Sequence, residues 1–571
     1  MKADRLSNKR TVTIIALILL WLFAMWKIRL GMHSDEVHSI AVGDMIASGN
    51  SFFKECWFYL QMSSVFTAPV ISVYEKITGG KEGILLLFRI LFVCIQSGIC
   101  VYFYHVFQEE YEKKYVLISS ILLFTFIPDF QSFTYKQELL WFATMEMIFS
   151  YRYYMTLKKR YLVFLGVMIA CSVLAYPTAI LQFPMYLFLV GYINKIRLQH
   201  KDIGKDTFLI ALTCFLCAVI FFIAVFSRLS VSEFIEFFPK VFLDNNLDKS
   251  FLSKLVHPAA KFGIMGIMTI IPIMVCNKIK KVSIPVCTCL LWLAFLGQMY
   301  IERSGVTWHC ITYSYALTVF IVPLAYLLDA NKEKNRILLL LFEIPAIGVI
   351  FCIALASNQG NITSMYGTVF SAAALLLVLG DKDNADGIIY RERHLIAASL
   401  CICALSMYII PVAEQEAVMP DHKARTIFTE RFLASDGPAK GIYLGDVTYE
   451  QYYRICGVVE DHVLWGDEVF IIDDAYTASY GYLASKGKYA TYSPQGGWGL
   501  AESDQAVKYF TDNYEKQPTV VIIRLEYIGS GLAMYLEETP VGNYLRYNGY
   551  QLIEERDGYA VMRKLKEDYI N

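Results

Sequence analysis

Apolar runs recur along the first 411 residues and are separated by short polar stretches. A membrane-crossing helix needs about 20 mostly apolar residues. The pattern therefore predicts thirteen spans, over 11–30, 83–107, 115–128, 137–157, 161–176, 178–193, 207–227, 258–276, 284–302, 307–328, 337–356, 365–380 and 394–411. Four of these, 115–128, 161–176, 178–193 and 365–380, are short for the task. The intervening loops give a second, independent reading. With the N-terminus cytoplasmic, the inward loops carry Lys113-Lys114, Lys158-Lys159-Arg160, Lys195 to Lys205, Lys278 to Lys281, Lys332 to Arg336 and Arg391-Glu392-Arg393. The outward loops 129–136 and 357–364 are poor in Lys and Arg, the asymmetry that sets orientation in a membrane. Removing one span would invert every later loop.

Two outward loops are long. Loop 31–82 mixes apolar and polar residues and predicts helices near 37–48 and 56–77. Loop 228–257 sets Phe234, Phe237, Phe238, Phe242 and Phe251 among charges. Both patterns suit helices lying in the headgroup plane. Beyond residue 412 the chain turns polar, and short strand-like runs appear at Gly441–Leu444, Val469–Ile472 and Val520–Leu525. Helix-like stretches at 447–456 and 504–515 alternate with them, which predicts a small α/β domain over 412–571, outside the membrane. The division is thus a transmembrane part, 1–411, and that domain.

Composition sharpens the class. The chain of 571 residues is 56% hydrophobic and 18% charged, against about 25% charged in soluble domains. Its net charge of −1 argues against a nucleic-acid partner, which would need a basic face. Met1–Arg10 is basic and Thr11–Leu30 apolar, with His33-Ser34-Asp35-Glu36 in place of a small-residue cleavage site, so the first segment reads as a retained helix. Most of the 14 cysteines sit in apolar runs, where Cys behaves as a small hydrophobe. The C-terminal stretch has no GxGxxG, P-loop or GxSxG, and Asp473-Asp474 reads as a strand-end turn.

Carboxylates on the lip of a membrane bundle are costly and usually functional. Asp35 and Glu36 are such a pair, flanked by His33 and His38. Arg89 lies about 9 Å inside the second span, where it must pair or snorkel; a phosphate or a carboxylate on a neighbouring helix would each satisfy it. Asp129, Glu138 and Arg303 lie in or beside later outward loops.

One cytoplasm-to-outside helix, then Ser34-Asp35-Glu36-Val37-His38, then Leu87-Phe88-Arg89-Ile90 opening the second helix, then Leu174-Ala175-Tyr176-Pro177-Thr178, resembles in order the GT-C superfamily of polyprenyl-phosphate-sugar-dependent glycosyltransferases. The resemblance is to the family 39-like branch of protein O-mannosyltransferases and lipid A aminoarabinose transferases. It covers the first 200 residues by motif and the rest by helix count and an outside tail. Two departures stand out: the first loop lacks the His-Pro-Pro stretch, and Tyr176 replaces a basic residue.

The resemblance implies an α-helical polytopic plasma-membrane enzyme with a C-terminal extracytoplasmic α/β domain. It would transfer a sugar, with inversion, from a polyprenyl-phosphate carrier to an envelope glycan, lipid or protein. Such transfer needs a base, positive charge on the leaving phosphate and a dry site. Asp35 is the candidate base and Glu36 its catalytic companion. Arg89 and Arg303 are candidate donor-phosphate ligands, and Asp129 and Glu138 a second acidic site. Asp35, Glu36 and His38 could hold a divalent cation such as Mg or Mn, hard ions that favour carboxylate oxygens. Two other readings stand beside this one: a lipid-linked saccharide flippase, which would favour duplicated halves with broken helices, and a non-catalytic envelope assembly protein whose tail is a recognition module.

Overall fold

The computed structural model describes residues 2–126, 131–198, 203–243, 252–254, 256, 333–356, 365–381, 393–409, 427–494, 504–529 and 531–564. In chain order the bundle helices are α1 (Lys2–Lys27), α2 (Ser34–Ala47), α3 (Ser64–Thr78), α4 (Ile84–Phe107), α5 (Lys113–Thr125), α6 (Tyr135–Thr156), α7 (Arg160–Ala175), α8 (Gln182–Leu198), α9 (Ile203–Phe226), α10 (Val231–Phe237), α11 (Glu333–Ala356), α12 (Thr368–Leu379) and α13 (Arg393–Ile409). Helices coincide with every expected span that lies within the described residues. The expected spans 258–276, 284–302 and 307–328 fall outside them.

Among the described residues four helical stretches are long and apolar enough to cross a membrane: Ile84–Phe107, Pro177–Arg197, Ile203–Phe226 and Arg336–Ala356. Burial separates them by role. A helix apolar all round either is buried in protein or faces lipid. All twelve residues of α12 are buried, between α5 and α11. In contrast α9 leaves Phe208, Phe215, Ile220 and Ile223 exposed, a lipid-facing flank.

The first long loop departs from expectation. Helix α2 does not lie on a surface: twelve of its fourteen residues are buried. It is wedged between α3 and a helix of the C-terminal region. Close approach to α3 is possible because position 43 is Gly; a Cβ there would come within 2.9 Å of Thr67 Cβ. The second long loop starts with α10, whose Ser230 and Glu233 form a reciprocal capping box. Phe234 then packs edge-on to Phe53 at 5.1 Å, tying the two loops together.

From 427 onward the chain forms β1 (Phe432–Leu433), β2 (Tyr443–Leu444), α14 (Asp446–His462), β3 (Glu468–Ile472), α15 (Ala475–Ala484), β4 (Lys488–Tyr489), α16 (Asp504–Asp512), β5 (Val520–Arg524), β6 (Tyr550–Arg556) and β7 (Tyr559–Lys564). Strands β1 and β2 pair antiparallel. The larger sheet has the order β4-β3-β5-β7-β6. Its first three strands are parallel and β7 and β6 are antiparallel additions. Val520 to Ile523 are all buried, the continuous apolar run of a strand covered on both faces. Val469, Ile471 and Ile522 join the core of the helical bundle, and Phe470, Ile472 and Ile523 form a second core with Trp57 and Phe237. Asp473 is no solvated turn: it is buried, accepting from Tyr559 Oη at 2.6 Å and Arg524 at 3.2 Å.

This α/β layer is stitched to the first loop. Gly31 N donates to Tyr443 O at 2.7 Å, Gly83 N to Gly437 O at 2.9 Å, and Trp57 N to Tyr492 O at 2.9 Å. Trp57 stacks on Tyr492 at 5.0 Å. Helix α15 lies along α2, and the buried Asp44 of α2 accepts from Tyr489 Oη at 2.5 Å and Lys81 Nζ at 2.7 Å. Tyr489→Phe leaves a buried carboxylate short of one donor. We expect a loss of about 1–3 kcal/mol, read as faster proteolytic cleavage between residues 427 and 564.

Candidate active site

The site is built on the first turn of α2. His33 is the N-cap, and its Nδ1 accepts from the Asp35 backbone N–H at 3.2 Å. Asp35 and Glu36 follow in the first turn, where negative charge is favoured by the helix dipole. Successive residues on a helix point about 100° apart, so the two carboxylates reach different neighbours.

Glu36 points inward to Arg89. Arg89 Nε donates to Glu36 Oε1 at 2.6 Å and Nη2 to Oε2 at 2.7 Å. The same guanidinium donates from Nη1 to Ile28 O at 2.7 Å and from Nη2 to Gly31 O at 2.8 Å. Both side chains are fully buried. Arg89, expected at the donor phosphate, thus has every guanidinium nitrogen turned onto protein. It joins α4, the start of α2 and the end of α1 at one point, the carboxylate alternative that its depth also allowed.

Asp35 points to the start of α6. Its Oδ2 accepts from Lys136 Nζ at 3.0 Å and from Tyr135 Oη at 3.3 Å. Its side chain keeps 18% of its surface exposed, so a second molecule can reach it. Burial pushes the carboxyl up, but the Lys136 ammonium, with His33 and the Lys136 hydrogen bond, outweighs it and holds Asp35 at about 2. The folded value lies below the unfolded one of about 3.9. The pair therefore stabilises the fold above about pH 4 and loses that contribution as pH falls toward 2.

Aromatic rings flank the Asp35–Lys136 pair. Lys136 Nζ lies 5.7 Å from the ring centroids of both Tyr135 and Tyr366. Tyr135 meets Tyr176 at 5.9 Å and Phe58 at 6.2 Å. Tyr176, at the position where the resemblance leads one to expect a basic residue, is buried against Tyr135. His38, one turn after Asp35, is buried edge-on to Phe58 at 4.6 Å. Burial pushes its imidazole down to about 4 against the opposing pull of Asp35, so the ring is neutral at pH 7. Neither of its nitrogens has a hydrogen-bond partner among the described residues.

The second acidic site is only partly visible. Glu138 sits in the first turn of α6, buried, with no partner for Oε2 among the described residues. Asp129 and Arg303 lie outside the described residues. Among the described residues no three His, Cys, Asp or Glu side chains form a group that could hold a metal ion. Asp35, Glu36 and His38 fit a divalent cation poorly, because Glu36 gives both oxygens to Arg89 and Asp35 faces an ammonium.

Sequence reasoning missed Lys136 and Tyr135. The available signal was that Lys136 is the single cation of an outward loop otherwise poor in them. Lys136→Gln should let burial dominate at Asp35. The acid limb of the activity profile is then expected to move up by about 1–3 pH units, the size of shift an adjacent opposite charge produces. An unmoved limb in a pH-rate series would separate Lys136 from Asp35.

No protein-family model matches the chain, and no curated protein matches it. Among solved structures, the chain is similar to ArnT from Cupriavidus metallidurans bound to undecaprenyl phosphate, at 12% identity and TM-score 0.42, over 98% of this chain and 99% of that one. It is similar to the oligosaccharyltransferase AglB from Archaeoglobus fulgidus in complex with an inhibitory peptide and a dolichol-phosphate, at 12% identity and TM-score 0.45, over 98% and 75%. The Archaeoglobus fulgidus oligosaccharyltransferase in complex with Zn and sulfate aligns at 12% identity and TM-score 0.43, over 96% and 73%. The structural neighbours are therefore an aminoarabinose transferase and an oligosaccharyltransferase.

Proposed function

We propose that this chain is an integral-membrane glycosyltransferase, with the N-terminus cytoplasmic and the α/β layer on the outer face. It moves one sugar from a polyprenyl-phosphate carrier to an envelope glycan, lipid or protein. The observation that carries the reading is the Asp35–Lys136 pair: a reachable carboxylate held ionised by a cation, at the position of the Ser34–His38 motif.

The pair supports a sequence of events. An anionic donor phosphate competes with Asp35 for the Lys136 ammonium. As Lys136 turns to the phosphate, Asp35 loses the charge that held its pKa down, and its basicity rises toward the range a general base needs. The acceptor hydroxyl then attacks the anomeric carbon from the face opposite the phosphate. Its proton passes to Asp35, the glycosidic bond forms, and the carbon–oxygen bond to the phosphate breaks with the electron pair leaving on the phosphate, where Lys136 neutralises it. One carboxylate in reach of the acceptor suits single displacement with inversion. His38, neutral and with neither nitrogen bonded among the described residues, offers a hydrogen-bonding partner to the acceptor or sugar beside Asp35. The Glu36–Arg89 pair positions the turn and touches neither substrate.

The test is an assay of the purified full chain with a panel of polyprenyl-phosphate sugars, following release of the polyprenyl phosphate and the anomeric configuration of the product. Release of none across the panel, or a product that retains configuration, would remove the proposal.

A further inference from the structure

A cavity of about 510 Å³ runs between α1, α4 and α5, away from Asp35. Leu17, Leu20 and Trp21 of α1, Ser97 and Val101 of α4, and Phe124 of α5 line it. Trp21 and Val101 are exposed, so the cavity opens on the flank that a bilayer would cover. It is almost wholly apolar, and by itself it would mark only a seam between helices.

A second observation gives it a polar end. Lys27, seven residues after Leu20 and so nearly in line with it about 10 Å along the helix, is buried. Its Nζ donates to the Tyr408 carbonyl oxygen and lies 4.5 Å from the Tyr408 ring centroid. The same ring meets Phe124, a wall of the groove, at 6.2 Å. Tyr408 thus joins the groove to the ammonium. Among the described residues no carboxylate pairs with Lys27, and a buried ammonium without an anion is costly. One of its three protons is used, which leaves two for an acceptor. The neighbouring Trp26 is exposed, as expected at the level where bilayer headgroups meet the acyl region.

We propose that the groove and Lys27 form a binding site for an anionic phospholipid of the bilayer. One acyl chain lies along Leu17, Leu20 and Val101, and the phosphate oxygens accept from Lys27. The charge favours an anionic head, because Lys27 is a cation here with no carboxylate beside it among the described residues. The open flank favours a lipid that keeps its second chain in the bilayer. The site rests on the chain being embedded in a membrane and not on the transfer chemistry.

The experiment is native mass spectrometry of the full-length protein in mild detergent, titrated with phosphatidylglycerol and, separately, phosphatidylcholine. Phosphatidylglycerol is expected to bind more tightly. Lys27→Gln should weaken it about tenfold, as loss of a charged hydrogen bond does, while Lys27→Arg should keep it. Ser97→Phe fills the groove, leaves the charge intact, and should weaken both lipids. Equal binding of phosphatidylglycerol by wild type and Lys27→Gln overturns the site, as does finding polyprenyl phosphate as the lipid displaced. If Lys27→Gln does not accumulate, Ser97→Phe decides: unchanged phosphatidylglycerol binding overturns the site.

Discussion

Asp35→Asn is expected to lower sugar transfer by about 10²- to 10⁴-fold, the range that a positioned base contributes. The amide keeps the size of the side chain and can still meet Tyr135, but it cannot take a proton from an acceptor hydroxyl. It also removes the anion that holds Lys136, so donor binding should weaken little or improve, while turnover falls. A filter-binding assay with radiolabelled polyprenyl-phosphate sugar, run beside the transfer assay, reads both. Because Asp35 keeps part of its surface, the variant should still accumulate, with a modestly earlier thermal transition at neutral pH from loss of the pair with Lys136. Transfer within threefold of wild type would show that Asp35 is not the base.

Arg89→Ala should behave differently, and its failure should be one of folding. Removing one partner of a buried pair leaves the other charge uncompensated, a loss of about 3–5 kcal/mol. Here Glu36, Ile28 O and Gly31 O would all lose their donor at once. Lower yield and an earlier thermal transition in detergent are expected. Arg89→Lys should rescue little, because a single ammonium cannot serve two carboxylate oxygens and two carbonyls in a fixed fork. Arg89→Met combined with Glu36→Leu should recover part of the loss, since an apolar pair leaves no orphaned charge. An Arg89→Ala protein that is stable yet inactive would instead return the guanidinium to the donor phosphate.

How far these features could be read from the chain varies with the length of the signal. The membrane-span helices that are described lie on apolar runs of 14 or more residues, because the need to satisfy every backbone group in lipid leaves little choice. The site was legible in part. Asp35-Glu36 stood out because adjacent charges beside an apolar span are rare, but nothing local says which neighbour each would meet. Arg89 finds Glu36 across 53 positions and Lys136 finds Asp35 across 101, and such pairings are decided by packing. Helix α2 was misplaced on the membrane surface for the same reason: its composition is mixed because it is enclosed by α3 and by the α/β layer, and charges such as Asp44 meet Tyr489 and Lys81 there. Asp557-Gly558, with φ of 52° and 82°, is the short hairpin signal between β6 and β7.

Helix α2 carries Asp35 at one end and, nine residues on, Asp44 at the other. The first is the proposed base, and the second is bolted to Tyr489 of the α/β layer. At 1.5 Å per residue that is a rod of about 14 Å, too short and too well enclosed to flex along its length. A chimera that borrows residues 427–564 from another protein would therefore misalign the carboxylate even though no substrate-contacting side chain had changed. Segments 31–82 and 427–564 must be exchanged together, as one inherited part, for any recombinant to keep its chemistry.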